Sequence, residues 1–114
     1  MAMEVKVSFD SDGILSRVEA RGHAGSEPLG SNPACAAATV LLRTAYETLS
    51  STPGVEASGK APSPGDLHFV VKHYPAGLVQ RLRGIGDFLL VGLSSVEREY
   101  PGKIHVIIDG ERRK

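Results

Sequence analysis

The sequence predicts an α+β fold, with two helices packed on a mostly antiparallel sheet in the order β-β-α-β-β-α-β. Three observations carry that expectation. Residues 4–10 alternate apolar and polar, the pattern of a strand buried on one side. Two stretches, 33–50 and 77–99, place apolar residues at helical spacing. Glycine and proline clusters separate these segments and leave room for further strands between and after them.

In the first strand Val5, Val7 and Phe9 share one face and Glu4, Lys6 and Ser8 the other. Asp12-Gly13 is a hairpin turn signal, and 14–22 resumes as a second strand whose apolar face carries Ile14, Val18 and Ala20. His23 lies at that strand's exit with the parity of Arg17, Glu19 and Arg21, away from the core side. The first helix has the stripe Ala34, Ala37, Ala38, Leu41, Leu42, Ala45 and Leu49, whose small side chains imply close approach to a neighbour. Asn32 suits its cap, and Pro33 its first position, where a missing N–H is not missed. A weak strand over 55–60 and a clearer one from Asp66 to Tyr74, with Leu67, Phe69 and Val71 inward, follow Thr52-Pro53-Gly54. The second helix carries Leu78, Leu82, Ile85, Leu89, Leu93 and Val96, and includes Gly84, Gly86 and Gly92. Each glycine costs about 1 kcal/mol against alanine inside a helix, and close packing on the alanine-rich helix is a reason to keep it. Tyr100-Pro101-Gly102 ends that helix, and Lys103 to Asp109 is a last strand with Ile104, Val106 and Ile108.

At 114 residues the chain is expected to form one domain across 1–114. Its single cysteine excludes an internal disulfide framework and points to a reducing cytoplasm, and no Cys/His spacing suggests a metal. Thirteen basic residues balance thirteen acidic ones, so no basic surface advertises direct nucleic-acid binding. No apolar run reaches the roughly 20 residues that span a bilayer, and no membrane association is expected.

The chemistry gathers around Cys35 and His23. A thiol becomes a nucleophile when its thiolate is stabilised, and a helix start with unpaired N–H groups does that. A histidine within reach would act as general base. Cys35 reads equally as a small buried hydrophobe, and His23 as an ordinary surface histidine. Asn32 reads as a helix cap or as a third member that orients His23. His68, His73 and His105 are scattered on strands and read as solvated or paired. Redox sensing by Cys35 lacks a resolving cysteine.

Gly22-His23-Ala24, a loop with Gly25 and Gly30, and a helix beginning Asn32-Pro33-Ala34-Cys35-Ala36-Ala37-Ala38 resemble the ribosomal-processing cysteine protease family called Prp. That family has a Gly-His-Ala triplet and an Asp-x-x-Cys-Ala segment at the same separation. The resemblance implies a cytoplasmic, homodimeric cysteine peptidase with no cofactor and no metal. Its substrate would be the N-terminal extension of large-subunit ribosomal protein number twenty-seven. By position, Cys35 would be the nucleophile, His23 the base and Asn32 their support, with Gly22, Gly25 and Gly30 in the substrate loop. The 24–34 loop would act as a lid, mobile over 25–31 until substrate orders it. Asn32 replaces the family's aspartate, and Pro33-Ala34 a larger apolar pair. Asparagine caps a helix but cannot balance an imidazolium, so a lowered rate is expected. The alternative is a non-catalytic ribosome-assembly binding module of the same fold with a silent cysteine.

Overall fold

Alternation in the first strand decides which side of the sheet is covered. β1 (Met3–Phe9) buries Met3, Val5, Val7 and Phe9 and leaves Glu4 and Lys6 exposed. The structure is a computed structural model that describes residues 2–22, 33–63 and 66–110. β2 (Leu15–Arg21) pairs antiparallel with β1, Val7 facing Val18 and Val5 facing Ala20. The register shifts at Ser8/Phe9, so Phe9 faces Leu15. That irregularity puts Leu15 as well as Ile14 in the core, both with no exposed surface. Strict alternation selects Ile14 and misses Leu15, because a bulge turns two successive residues inward.

β3 (Glu56–Ser63) and β4 (Asp66–His73) form the second hairpin, and β4 pairs antiparallel with β2, Phe69 opposite Val18. β5 (Ile104–Asp109) returns parallel to β1, Val106 opposite Val5. The sheet order is β3-β4-β2-β1-β5, mixed through the one parallel pair.

α1 (Pro33–Ser51) lies on β3 and β4, and α2 (Val79–Glu99) on β2 and β5. The helices also pack on each other, so both cover one face of the sheet and the other face remains open. A 3-10 turn, Ala76–Leu78, precedes α2, where the sequence suggests one helix from 77. The expected stripes face inward: Ala34, Ala38, Leu42 and Leu49 of α1 and Leu82 and Leu93 of α2 have no exposed surface. A buried leucine of this kind contributes about 2 kcal/mol by leaving water. No helix among the described residues is long and apolar enough to cross a membrane.

Ile108 departs from the pattern of its strand, for it is 52% exposed while Ile104 is buried. α2 runs from the β1–β2 turn, where Arg83 lies beside Gly13, to the start of β5, where Glu97 accepts the Val106 N–H. The far end of β5 lies at the sheet edge beyond that diagonal and is left uncovered. The helix glycines also divide. A Cβ on Gly92 would sit 3.0 Å from Leu41 of α1, the close approach expected, whereas one on Gly84 would meet nothing within 4 Å.

A polar lock closes the end of the sheet at the first hairpin. Asp10 Oδ1 accepts the Asp12 and Ile14 N–H groups at 2.9 and 3.0 Å. The Tyr74 hydroxyl, just past β4, donates to Asp10 Oδ2 and Asp12 Oδ2 at 2.7 and 2.8 Å, one proton shared between two carboxylates. Burial first, and then these two carboxylates, raise the Tyr74 pKa well above the usual phenol value.

Tyr74→Phe is expected to cost about 1.5 kcal/mol in urea unfolding at pH 7. A raised folded-state pKa stabilises fully below the unfolded value and loses its effect as pH climbs through the folded one. The deficit should therefore hold from pH 6 to 9 and shrink above about pH 10. Gly84→Ala should raise stability by about 1 kcal/mol, since helix propensity improves with nothing displaced. The same change at Gly92 should gain less or destabilise, because Leu41 must move. Denaturation midpoints measured in parallel decide both.

Candidate active site

Cys35 is the third residue of α1, in the first turn, where backbone N–H groups have no partner within the helix. Ala34 and Ala38 on either side are fully buried, whereas Cys35 is half-buried and packs against the edge of the core. The thiol is thus borne by a rigid element at the margin between core and solvent. The Cys35 carbonyl accepts the Thr39 hydroxyl at 2.7 Å, a bond along the same helix.

Packing settles which end of the sheet this turn occupies. The Tyr46 and Phe69 rings are 5.3 Å apart, and Arg43 shares a groove with Leu67, so α1 runs in the same direction as β4. From Arg43 back to Cys35 the helix rises about 12 Å, which carries Cys35 toward and beyond the beginning of β4. That is also where β2 ends, since Ala20 pairs with Leu67. Gly22 completes this end: its N–H donates to Asp66 Oδ1 at 2.8 Å, joining the exit of β2 to the first residue of β4. Gly22 has φ +48°, a left-handed conformation that glycine adopts without strain.

Of the residues singled out from sequence, Cys35 and Gly22 are therefore brought to the same end of the fold. His23, Gly25, Gly30 and Asn32, and with them the 25–31 segment, lie outside the described residues. Asp66 escapes a sequence reading, because an aspartate after Pro64-Gly65 is indistinguishable from ordinary turn chemistry. Only the antiparallel pairing of β2 with β4 sets it against Gly22.

His68, His73 and His105 are exposed on their strands. Among the described residues no group of three His, Cys, Asp or Glu side chains could hold a metal ion. On the open face of the sheet, Arg17, Glu19, Arg21, Asp66, His68 and Val70 line a depression of about 480 Å³. Arg17 and Glu19 form an exposed ion pair there at 3.3 Å, of the kind that adds little to stability.

The arrangement suits nucleophilic chemistry: a half-buried thiol at a helix start, on a rigid support, at the sheet end from which the chain continues into His23. Among solved structures the fold is similar to the essential ribosomal processing protease Prp from S. aureus in complex with a covalently linked product peptide. The TM-score is 0.74 at 19% identity, over 94% of this chain and 99% of that one. The same S. aureus protease with a substrate peptide matches with TM-score 0.74 at 18% identity, over 94% and 99% of the two chains. SMU.848 from Streptococcus mutans matches with TM-score 0.71 at 19% identity, over 96% of each chain. A search of curated proteins finds no match. The family model for the cysteine protease Prp, in contrast, matches residues 3–105, nearly the whole chain. With a fold and a family model in agreement from the first strand to the last, the chain belongs to the Prp cysteine protease family.

Proposed function

We propose that this protein is a cysteine endopeptidase, one domain across 1–114, that uses a Cys35–His23 dyad. The observation that carries the reading is the place of Cys35, half-buried in the first turn of α1 at the sheet end where β2 leads into His23. In the reaction the Cys35 thiolate attacks the scissile carbonyl carbon and the carbonyl oxygen becomes an oxyanion. N–H groups of the first turn of α1 are suited to stabilise that charge. His23, holding the thiol proton, delivers it to the leaving amine as the C–N bond breaks. Water, deprotonated by the same imidazole, then hydrolyses the thioester and returns Cys35. No step requires a cofactor.

The substrate we assign is the N-terminal extension of large-subunit ribosomal protein number twenty-seven, cleaved in the cytoplasm by a homodimer. Support comes from family membership and from the S. aureus protease, whose described complexes contain product and substrate peptides. Asn32 is assigned the helix cap and a neutral contact to the base in place of the family's aspartate, and it lowers the rate. That substitution also favours a second reading, a non-catalytic ribosome-assembly binding module of the same fold with a silent cysteine.

A peptide spanning the host's own extension separates these readings. Cys35→Ala should abolish its cleavage with the circular dichroism spectrum unchanged, because alanine is small and a good helix former. His23→Ala should also abolish cleavage and slow Cys35 alkylation by iodoacetamide at pH 7. Full activity in folded Cys35→Ala would refute the dyad. No cleavage by wild type, with a thiol that alkylates no faster than free cysteine, would establish the binding module instead.

Asn32→Asp should leave stability within about 0.5 kcal/mol, since both residues cap helices well. It should raise the cleavage rate about tenfold, equivalent to about 1.4 kcal/mol of barrier, by adding a charge that steadies the imidazolium. An unchanged rate in the folded variant would confine Asn32 to capping.

A further inference from the structure

We infer that Asp66 is a positioning residue for the general base: by accepting the Gly22 N–H, its carboxylate holds the exit of β2 in the orientation from which His23 continues. The inference rests on the dyad reading of Cys35 and His23 and adds to it a residue that neither motif contains.

The geometry is local and specific. β2 ends at Arg21, so Gly22 is the first residue past the strand. Its left-handed φ of +48° turns the chain immediately before His23, and a Cβ there would meet nothing within 4 Å. Conformation, rather than crowding, therefore requires glycine. A left-handed turn ends the strand's alternation at Gly22, so a bond to its N–H restrains the direction in which the chain leaves the strand. The Gly22 N–H to Asp66 Oδ1 bond, 2.8 Å long, is such a restraint, and its ionised acceptor strengthens it. Asp66 is half-buried and well anchored: it opens β4, faces Ser63 across the second hairpin and precedes Leu67, which is buried. The strand exit is thus tied to the sheet interior across 44 residues of sequence.

A role confined to holding β4 in place would change stability alone, whereas a positioning role acts on turnover. Asp66→Ala should lower kcat for the extension peptide about tenfold with KM within twofold, since a misaimed base slows chemistry and leaves peptide binding alone. Asp66→Asn, whose amide oxygen can accept the same N–H, should retain kcat within about threefold. Gly22 amide exchange, followed by NMR, should accelerate in the alanine variant only. Where turnover is too slow to follow, the pH profile of Cys35 alkylation replaces it, and Asp66→Ala should then move toward the His23→Ala profile. Asp66→Val, a strand former without an acceptor, serves if the alanine variant does not fold.

Cleavage retained by His23→Ala would overturn the dyad, and the role of Asp66 with it. With His23→Ala inactive, wild-type kcat and alkylation in Asp66→Ala would overturn the Asp66 assignment alone. Equal losses in Asp66→Asn and Asp66→Ala would overturn it too, because the amide still offers an acceptor.

Discussion

The arrangement depends on the alanine-rich face of α1 lying in the core that the helix shares with the sheet and α2. Ala34, Ala38 and Leu42 are fully buried, and the small side chains at the first two positions suit close packing of the start of the helix in the core. Cys35 lies between two of these anchors, so its backbone cannot move without opening the core beside it. The same closeness governs the helix pair, where Gly92 of α2 gives way to Leu41 of α1. A larger residue at Ala34 or Ala38 would lift the first turn and shift the thiol together with the N–H groups around it.

Two carboxylate ties hold β4 at its opposite ends. At the first hairpin, Tyr74 bridges Asp10 and Asp12, and at the other end Asp66 holds Gly22. Both bonds join segments far apart in sequence, and both satisfy polar groups where regular strand pairing stops. The first closes a turn remote from Cys35, whereas the second lies at the end of the sheet that α1 brings Cys35 to. A rigid strand framed by such ties is a suitable base for chemistry that needs a fixed distance between thiol and base.

Membership of the Prp family places a cysteine protease on this scaffold. In the proposed dyad, Asn32 stands where the family's aspartate is expected, and the substitution would separate the geometric part of a third member's work from its charge. An asparagine side chain has the chemistry to accept a hydrogen bond and to cap a helix. The electrostatic steadying of an imidazolium is what it gives up.

Much of the fold was legible in the sequence because its elements obey simple periods. Val5 and Val7 mark the covered side of β1, Leu42 and Leu49 the covered stripe of α1, and Leu82, Leu89 and Leu93 that of α2. Asn32 as a cap, Pro33 as a first helical position and the alanine stripe together place Cys35 in the first turn of α1. Periodicity failed where a neighbour, rather than the local chain, decides burial. Leu15 is core because of a bulge, Ile108 is exposed because α2 crosses the sheet diagonally, and Gly84 has open space where Gly92 has none. Strand order and the parallel return of β5 beside β1 were equally hidden, since alternation shows which face is covered and not which strand is next. The bond from Gly22 to Asp66 belongs to the same class. The sequence by itself determined the elements, their buried faces and the place of Cys35 on a helix start, because these follow from local periodicity and capping. Tertiary structure alone decided which distant residues meet at that end, because such meetings follow from pairing register and helix direction, which no local pattern encodes.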